Sequence, residues 1–201
     1  MEELLREMEE YAAREHVPII NANGKAVLVA AAAAKKAHCV LEIGTAIGYS
    51  TLLLAKNSAA DVQITTLELS EKRAALAEKF IEQSKYRQQI QLLRGDAAEN
   101  LMALTGPFDL VFIDAAKGQY PDYFRKVLPN LAEDAVVIAD NVLFRGYVRS
   151  SEAPPRRYKT IVKRLREYIE MVQTHPEFTT VIHEDGDGLA VSQRRKHIEK
   201  T

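Results

Sequence analysis

The sequence predicts an α/β fold: a doubly wound, mostly parallel sheet with helices on both faces, formed by a single domain over residues 1–201. Short continuous apolar runs, such as residues 110–113 and 136–138, are typical of strands covered on both faces. These runs alternate with helical patterns along most of the chain, which favours parallel strands joined by crossover helices. A length of 201 residues with 47% hydrophobic composition is enough for one domain with a sizeable core.

The N-terminal part of the chain, residues 1–36, is predicted to form two helices. Apolar residues recur at helical spacing among charged ones and predict an amphipathic helix over residues 2–15. This helix ends before Pro18, because the residue that precedes a proline is pushed out of the α region. A second helix is predicted over residues 22–36.

The rest of the chain is predicted to alternate between strands and helices. Ser70, followed by Glu71 and Arg73, is typical of a capped helix start. The predicted strands cover residues 39–43, 62–69, 90–93, 108–113 and 135–139, with a closing pair at 178–183 and 189–192. The predicted helices between them cover residues 50–56, 70–84, 97–104 and 119–131.

Residues 144–166 interrupt this alternation with a basic segment. Gly146, Pro154 and Pro155 predict a loop there. So many basic side chains are able to grip the phosphates of a nucleic acid, but a solvated loop and helix face accounts for the composition equally well. The basic residues of this segment are Arg145, Arg149, Arg156, Arg157, Lys159, Lys163, Arg164 and Arg166.

Composition and charge limit the partners of the chain. Its formal net charge of −1 provides no overall field that would attract nucleic acid or a membrane, although a local basic patch is still allowed. The single cysteine, Cys39, excludes a disulfide within the chain, and no apolar stretch approaches the ~20 residues of a membrane span. The acidic N-terminus is unlike a signal peptide. We therefore expect a cytoplasmic protein with no membrane partner.

Residues 40–50 are predicted to form an apolar strand, a glycine turn and the start of a helix. Gly44 and Gly48 lack a Cβ atom, so they can take positive φ and let a ligand approach the backbone. The first N–H groups of the following helix add donors and a partial positive charge. The glycine spacing differs from the G-x-G-x-x-G pattern of dinucleotide-binding turns, and the Lys-Ser/Thr ending of a P-loop is missing. The ligand of this turn therefore need not contain a pyrophosphate. A nucleotide-like ligand and a simple tight turn both fit the pattern.

Two acidic residues follow the next predicted strands. Glu68 ends the second strand, where a carboxylate is able to accept two hydrogen bonds from the hydroxyl groups of a ribose. Asp96 ends the third strand, where an adenine could be held. The alternatives are an ordinary strand-end carboxylate at position 68 and a helix N-cap at position 96.

Polar residues also end the fourth and fifth strands. Asp114 follows one and Asp140-Asn141 the other, and neighbouring strands at the switch point would bring these oxygens together. Such an all-oxygen set favours Mg²⁺, with Mn²⁺ or Ca²⁺ possible, over zinc, whereas helix capping is the alternative for either aspartate alone. Lys117, three residues beyond Asp114, is a candidate general base or else a solvated surface lysine.

Together these residues resemble the cation-dependent class I O-methyltransferases, the family that contains the catechol and caffeoyl-CoA O-methyltransferases. The resemblance is carried by residues 41–50, 112–120, 140–143 and 187–190 and covers nearly the whole chain. It implies a seven-stranded Rossmann-like methyltransferase fold with an antiparallel last strand, and a homodimer. It also implies Mg²⁺ on Asp114, Asp140 and Asn141, with Lys117 and Asp114 as catalytic residues. The residues implied to bind S-adenosylmethionine are Glu42, Gly44, Thr45, Ala46, Gly48, Tyr49, Ser50, Glu68, Asp96, Ala97 and Asp114.

A narrower resemblance is to the bacterial tRNA 5-hydroxyuridine methyltransferases, through residues 8–20, 44–50 and 140–146. It implies that the acceptor is the wobble uridine of a tRNA anticodon loop and that part of a leading helix is missing. A small catechol-like acceptor remains the alternative, and a non-catalytic binding module is a third hypothesis. The side chains predicted to contact tRNA are Arg145, Arg149, Arg156 and Arg157, with Tyr147 or Tyr158 stacking on a base and Arg194, Arg195 and Lys196 adding reach.

Overall fold

The computed structural model of the chain describes residues 1–195. The helices are α1 (Glu2–Arg14), α2 (Ala22–Lys35), α3 (Tyr49–Asn57), α4 (Glu71–Glu82), α5 (Ala97–Ala103), α6 (Tyr120–Val127) and α7 (Lys159–Thr174). The strands are β1 (Cys39–Ile43), β2 (Gln63–Glu68), β3 (Ile90–Arg94), β4 (Phe108–Ile113), β5 (Leu131–Asp140), β6 (Phe178–His183) and β7 (Leu189–Arg194). Within these residues every helix is too short or too polar to span a lipid bilayer.

The strands form one seven-stranded sheet in the order β3-β2-β1-β4-β5-β7-β6. Strand β7 runs antiparallel to both β5 and β6, whereas β1 with β2, β2 with β3, and β4 with β5 are parallel pairs. This topology confirms the predicted Rossmann-like fold with a mostly parallel sheet and an antiparallel last strand. The chain divides into two compact units, Met1–Leu104 and the residues from Thr105 onward, so a single domain stays a prediction.

The first unit contains α1 to α5 and the parallel strands β1, β2 and β3. Both predicted N-terminal helices are confirmed, and Asn21 caps α2 by accepting a hydrogen bond from the Gly24 N–H at 2.9 Å. The core of this unit is aliphatic and includes the fully buried Leu41, Ile43 and Leu54. Parallel pairing brings the carboxyl ends of its three strands to one edge.

The second unit contains α6, α7 and strands β4 to β7, and its core is aromatic. Phe124 packs edge-on against Tyr168 and Phe178, with ring centroids 6.1 and 5.5 Å apart, and Tyr168 packs in the same way against Tyr120. All four rings are buried. This packing fixes α6 and α7 against the strands of the unit.

The prediction of a loop over residues 144–166 is wrong in its last third. Helix α7 begins at Lys159, so the last third of the basic segment is helical. The reason is an apolar stripe at helical spacing that is buried along the whole helix and outweighs the charge of the opposite face. The buried residues of α7 are Val162, Leu165, Tyr168, Ile169 and Val172.

The predicted helix over residues 119–131 is also shorter than expected. Helix α6 ends at Val127, a 3₁₀ turn follows over Leu128–Asn130, and β5 begins at Leu131. Pro129 lies in this turn and lacks the N–H donor that would continue an α-helix.

Candidate active site

The glycine turn between β1 and α3 lies in the first unit and is built from left-handed backbone. Gly44 and Gly48 have φ angles of 106° and 86°, and Ala46 has a φ angle of 48°. A Cβ atom at position 48 would find room, so the positive φ is what favours glycine there. The N–H groups of Gly44 and Thr45 both donate to the Leu67 carbonyl oxygen, at 2.9 and 3.1 Å. The turn is therefore fastened to β2 at the carboxyl end of β1.

Glu68, the last residue of β2, holds the same turn from the other side. One carboxylate oxygen accepts a hydrogen bond from the Ala46 N–H at 2.8 Å, and the other accepts from the Ser70 N–H at 2.9 Å. Each carboxylate oxygen has a second lone pair, so Glu68 keeps acceptor capacity for hydroxyl groups. Its predicted contact with a ribose remains a prediction, and the structure adds a role in shaping the turn.

Glu42 and Thr45 are buried, and their side chains form a hydrogen-bonded cluster inside the first unit. The Thr66 hydroxyl donates to Glu42 Oε2 at 2.6 Å and lies 2.6 Å from the Thr45 hydroxyl. The Thr51 hydroxyl of α3 also donates to Glu42 Oε2. This cluster joins β1, the turn, β2 and α3, and direct contact of its members with a ligand stays a prediction.

The start of α5 supplies the third strand-end group of the first unit. Asp96 Oδ1 accepts a hydrogen bond from the Ala98 N–H at 2.7 Å, so the predicted N-cap is confirmed. The Gly95 N–H donates to the Glu68 carbonyl oxygen at 2.9 Å, which ties the end of β3 to the end of β2. Ala97 is buried beside this cap. Glu68 and Asp96 thus share one edge of the sheet, as the sequence predicted.

The first turn of α3 completes this half of the site. Gly48 is its N-cap residue, and Tyr49 and Ser50 are its first two residues. The first N–H groups of a helix have no partner within the helix and carry its partial positive charge. Tyr49 is buried, whereas Ser50 is half-buried. An electron-rich group of a ligand would be stabilised at this position.

The second unit places two carboxylates at its own sheet edge. Ile113 of β4 pairs with Ala139 of β5 in parallel register, so Asp114 and Asp140 follow at equivalent positions on neighbouring strands. Burial raises the pKa of Asp114, and the charge of Lys117 opposes that shift. Burial, and then the charge of Asp114, raises the pKa of Asp140 to about 6. Two partly desolvated carboxylates that repel one another are the electrostatic setting that a bound cation relieves.

The third oxygen of the predicted metal set is the amide of Asn141. Its backbone is left-handed, with a φ angle of 58°, and its N–H donates to Asp140 Oδ1 at 2.7 Å. Among residues 1–195 no group of three or more His, Cys, Asp or Glu side chains is arranged to hold a metal ion, so the set depends on this amide. Two carboxylates and an amide oxygen fit Mg²⁺ by donor chemistry.

Lys117 and Tyr120 flank these carboxylates. Lys117 Nζ lies 3.9 Å from Asp114 Oδ1 and is largely shielded from solvent. The buried Tyr120 hydroxyl donates to the Asp140 carbonyl oxygen at 2.9 Å, and burial raises the pKa of this phenol well above its usual range. Sequence reasoning assigned Tyr120 no role, although it ends a segment that carries the family resemblance; the structure makes it a support for the end of β5.

Residues 187 and 188 hold the loop that follows Asp140. The Arg145 N–H donates to Asp187 Oδ1 at 2.9 Å, and the Leu143 N–H donates to the Asp187 carbonyl oxygen at 2.8 Å. The Val142 N–H donates to the Gly188 carbonyl oxygen at 3.0 Å. Sequence reasoning singled out this late motif without a role. Its role in the structure is to fix residues 142–145, which directly follow Asp140 and Asn141.

Replacing Gly188 with alanine is expected to disturb this loop. Gly188 has a φ angle of 73°, and a Cβ atom there would lie 2.3 Å from Leu143 Cγ. Backbone strain and the steric clash should together lower the free energy of unfolding by about 2–3 kcal/mol. Chemical denaturation measures this loss. Gly146→Ala is the matched control, since that glycine also has positive φ but open space around it; equal losses would contradict the steric explanation.

Half of the eight basic side chains of the segment are hydrogen-bonded within the protein: those of Arg145, Arg149, Arg164 and Arg166. Arg149 pairs with Glu184 at 3.0 Å, and Arg166 donates to the Val148 carbonyl oxygen at 3.0 Å. Arg164 contacts Asp122 and also Glu167, the latter at 2.8 Å. These arginines fasten α7 and its preceding loop to the second unit, a function that composition did not reveal.

Apart from the arginines that are hydrogen-bonded within the protein, four basic side chains of the segment remain, and in the described part of the chain none of them has an acidic partner: Arg156, Arg157, Lys159 and Lys163. They are all exposed, and Arg157 lies over the Tyr158 ring at 4.6 Å from its centroid. Phe144 and Tyr147 pack beside Tyr158, with Phe144 edge-on at 5.2 Å. An aromatic cluster with free cationic charge therefore follows the carboxylate site in sequence.

The remaining basic residues that were predicted to contact tRNA or to extend that surface have other roles or positions. Arg194 pairs with Glu177 at 2.7 Å and donates to the Leu131 carbonyl oxygen at 3.0 Å, so it is used within the protein. Arg195 donates to the Thr179 hydroxyl at 3.1 Å. Lys196 lies outside the described residues. Arg145 stacks on Phe144 and Tyr158 rather than projecting alone.

Comparisons with known proteins agree with this architecture. A family model described as O-methyltransferase matches residues 1–195. The catechol O-methyltransferase of Mycobacterium tuberculosis is 30% identical over 167 residues, which are 80% of this chain and 74% of that protein. The catechol O-methyltransferase of Niastella koreensis is 38% identical over 117 residues, 56% of this chain. That match spans about half the length of the Niastella protein, 53%.

Solved structures extend the match to almost the full chain. The O-methyltransferase of Bacillus cereus in complex with SAH superposes with a TM-score of 0.84 at 27% identity, covering 96% of this chain and 91% of that one. The O-methyltransferase TomG of Streptomyces achromogenes in complex with SAM gives the same TM-score and identity, with 96% and 90% coverage.

Proposed function

The chain belongs to the O-methyltransferase family, whose relatives of the same fold bind SAM or SAH, and on that premise we propose that it catalyses Mg²⁺-dependent methyl transfer. The methyl group would pass from S-adenosylmethionine to one of two neighbouring oxygen atoms of the acceptor. The observation that carries this proposal is the oxygen-only set of Asp114, Asp140 and Asn141, with Lys117 3.9 Å from Asp114.

The methyl donor is assigned to the first unit. Its ribose hydroxyl groups would donate to Glu68, and its adenine would lie against Asp96 and Ala97. The turn over residues 44–50 would receive the methionyl part at the start of α3, where backbone N–H groups point to an anionic ligand. The absence of a P-loop lysine agrees with a donor that has no phosphate.

The acceptor is assigned to the second unit. Asp114, Asp140 and Asn141 would hold Mg²⁺, which when bound lowers the pKa of an acceptor hydroxyl group and stabilises its deprotonated form. Lys117 Nζ, in its neutral form, accepts the proton of that hydroxyl. The acceptor oxygen then attacks the methyl carbon in line, the carbon–sulfur bond breaks, and S-adenosylhomocysteine leaves. Much of the rate acceleration should come from holding both reactants in alignment.

For the acceptor, we propose 5-hydroxyuridine at the wobble position of tRNA. Its 5-oxygen and 4-carbonyl oxygen form the required neighbouring pair. Support comes from the four exposed basic side chains at positions 156, 157, 159 and 163, which have no acidic partner among residues 1–195, and from the Tyr158 ring beside them. Phosphate contacts and base stacking are the usual means of binding single-stranded RNA.

The second candidate acceptor is a small catechol-like molecule, whose two ring oxygens offer the same pair. The names of the relatives from M. tuberculosis and N. koreensis favour it. A methyl-transfer assay with labelled S-adenosylmethionine separates the two candidates. We expect transfer to tRNA that carries 5-hydroxyuridine, loss of transfer with a chelator, and recovery with Mg²⁺. Transfer to free catechols alone would contradict the tRNA proposal, and transfer that survives the chelator would contradict the metal proposal.

Replacing Arg156 and Arg157 together with alanine is expected to weaken tRNA binding by about tenfold or more and to leave catechol methylation unchanged. The plot of log affinity against log salt concentration should become less steep by about 1–2 for the two lost phosphate contacts. Filter binding at several salt concentrations measures both quantities. The Arg6→Ala, Arg73→Ala double variant removes the same charge from exposed positions elsewhere and is the control. Equal weakening in the control would show that only net charge matters.

A further inference from the structure

A closed ring of hydrogen bonds joins the first three helices. Lys25 Nζ of α2 donates to Glu9 Oε1 of α1 at 2.9 Å and to the Tyr49 hydroxyl of α3 at 2.6 Å. The Tyr49 hydroxyl donates in turn to the same oxygen of Glu9. Each helix contributes one side chain, although the three residues are far apart in the sequence. We call Glu9, Lys25 and Tyr49 the helix triad.

The helix triad differs from an ordinary surface ion pair because its centre is desolvated. Tyr49 is only 2% exposed, and a buried phenol requires hydrogen-bond partners for its hydroxyl. The hydrogen bonds that Glu9 accepts from Tyr49 and Lys25 lower the pKa of Glu9, and the hydrogen bonds that Lys25 donates to Tyr49 and Glu9 raise the pKa of Lys25. Both outer members are therefore held in their charged forms, in which hydrogen bonds are strongest.

Tyr49 is also the first residue of α3 and directly follows Gly48 at the end of the glycine turn. The opposite side of the turn is fastened by the Leu67 carbonyl oxygen and by Glu68. The hydroxyl of Tyr49 links α1 and α2 to the residue that directly follows the turn. Loss of the triad would leave the β2 side fastened and remove this link at the start of α3.

We propose that Glu9 and Lys25 are positioning residues for the methyl donor, acting through Tyr49 on the turn over residues 44–50. The inference rests on the proposed binding of the donor at this turn. The triad holds the first N–H groups of α3 in the arrangement that receives the donor, so less ordering is left to occur when the donor binds. Neither Glu9 nor Lys25 needs to touch the donor for this effect.

A second ion pair allows this role to be separated from simple helix docking. Glu2 of α1 pairs with Lys56 near the other end of α3, away from the turn. If the helix triad served only to attach α1, loss of the Glu2–Lys56 pair would have the same consequence for the donor as loss of Glu9. Glu10, an exposed neighbour of Glu9, controls for the change in charge.

The test is isothermal titration calorimetry with S-adenosylhomocysteine on the full chain, with no acceptor or metal present. Glu9→Gln and Tyr49→Phe, both close in shape to the native side chain, should each weaken binding by about tenfold. The affinity of the double variant for S-adenosylhomocysteine should be hardly lower than that of the single variant that binds less tightly, because both changes break the same ring. Glu2→Gln and Glu10→Gln should bind within about twofold of the native chain.

Thermal unfolding without ligand accompanies each titration, and Lys25→Met provides a further break of the ring that keeps the apolar stem. Native affinity in Glu9→Gln and Tyr49→Phe would overturn the proposal. So would equal weakening by Glu2→Gln, or additive effects in the double variant. If the native chain itself failed to bind S-adenosylhomocysteine, the donor assignment would be wrong, and that outcome is distinct from all of these.

Discussion

Replacing Asp140 with alanine is expected to reduce methyl transfer by about 1,000-fold or more, because it removes one of two carboxylates from the proposed Mg²⁺ site. Asp140 ends β5 and is 4% exposed, whereas the other acidic residues of the strand, Glu133 and Asp134, lie near its opposite end. The residues assigned to the donor begin at Glu42 and, except for Asp114, lie in the first unit, so binding of S-adenosylhomocysteine should stay within about twofold. Steady-state kinetics with and without added Mg²⁺, together with calorimetry, measure both quantities.

Two further variants make this result interpretable. Asp140→Asn keeps an oxygen that accepts from the Asn141 N–H, so it preserves the local fold while it removes the charge. Glu133→Ala removes an exposed carboxylate from the other end of the same strand and should leave turnover unchanged. Undiminished Mg²⁺-dependent turnover in Asp140→Ala would refute the metal assignment.

Replacing Lys117 with methionine is expected to lower kcat by about 100- to 10,000-fold, the usual contribution of a general base. The KM for S-adenosylmethionine should hardly change, because the lost interaction is with the acceptor proton and not with the donor. Methionine keeps much of the length of the side chain, so packing near Asp114 is retained. Single-turnover kinetics would show whether the chemical step is the one affected.

Lys117→Arg distinguishes a base from a fixed positive charge. Arginine keeps the charge beside Asp114, but its guanidinium does not lose a proton in proteins, so this variant should be as inactive as Lys117→Met. Recovery of activity in Lys117→Arg would show that Lys117 acts by its charge alone. Lys72→Met, at an exposed position on α4, is the control.

The order of elements and their approximate bounds were predictable from the sequence. The strand over Phe108–Ile113 and the N-caps at Ser70 and Asp96 depend on residues close together in the chain. Helix α7 was missed because its charged face dominated the composition, while its buried stripe became decisive only through packing. Prolines 154 and 155 mark the end of the loop and not its middle.

The same distinction applies to the predicted site residues. The positions of the glycine turn and of the strand-end carboxylates were predictable from the sequence, because turns and strand ends depend on residues close together in the chain. The basic segment was not resolved by its composition, since Arg164 and Arg166 make structural contacts whereas Arg156 projects without an acidic partner within residues 1–195. Whether an arginine makes structural contacts or projects without an acidic partner depends on where Asp122 and several carbonyl groups lie in space.

By itself, the sequence determined the alternation of strands and helices, the left-handed glycine turn after β1, and the polar residues that end β2 to β5, because each is encoded by residues that are neighbours in the chain. Only the tertiary structure decided that Glu9 and Lys25 meet Tyr49, that Asp187 and Gly188 support the loop after Asp140, and that half of the basic segment is used internally. Nearly all of those contacts join residues separated by 16 to 46 positions, and packing, not local preference, selects them.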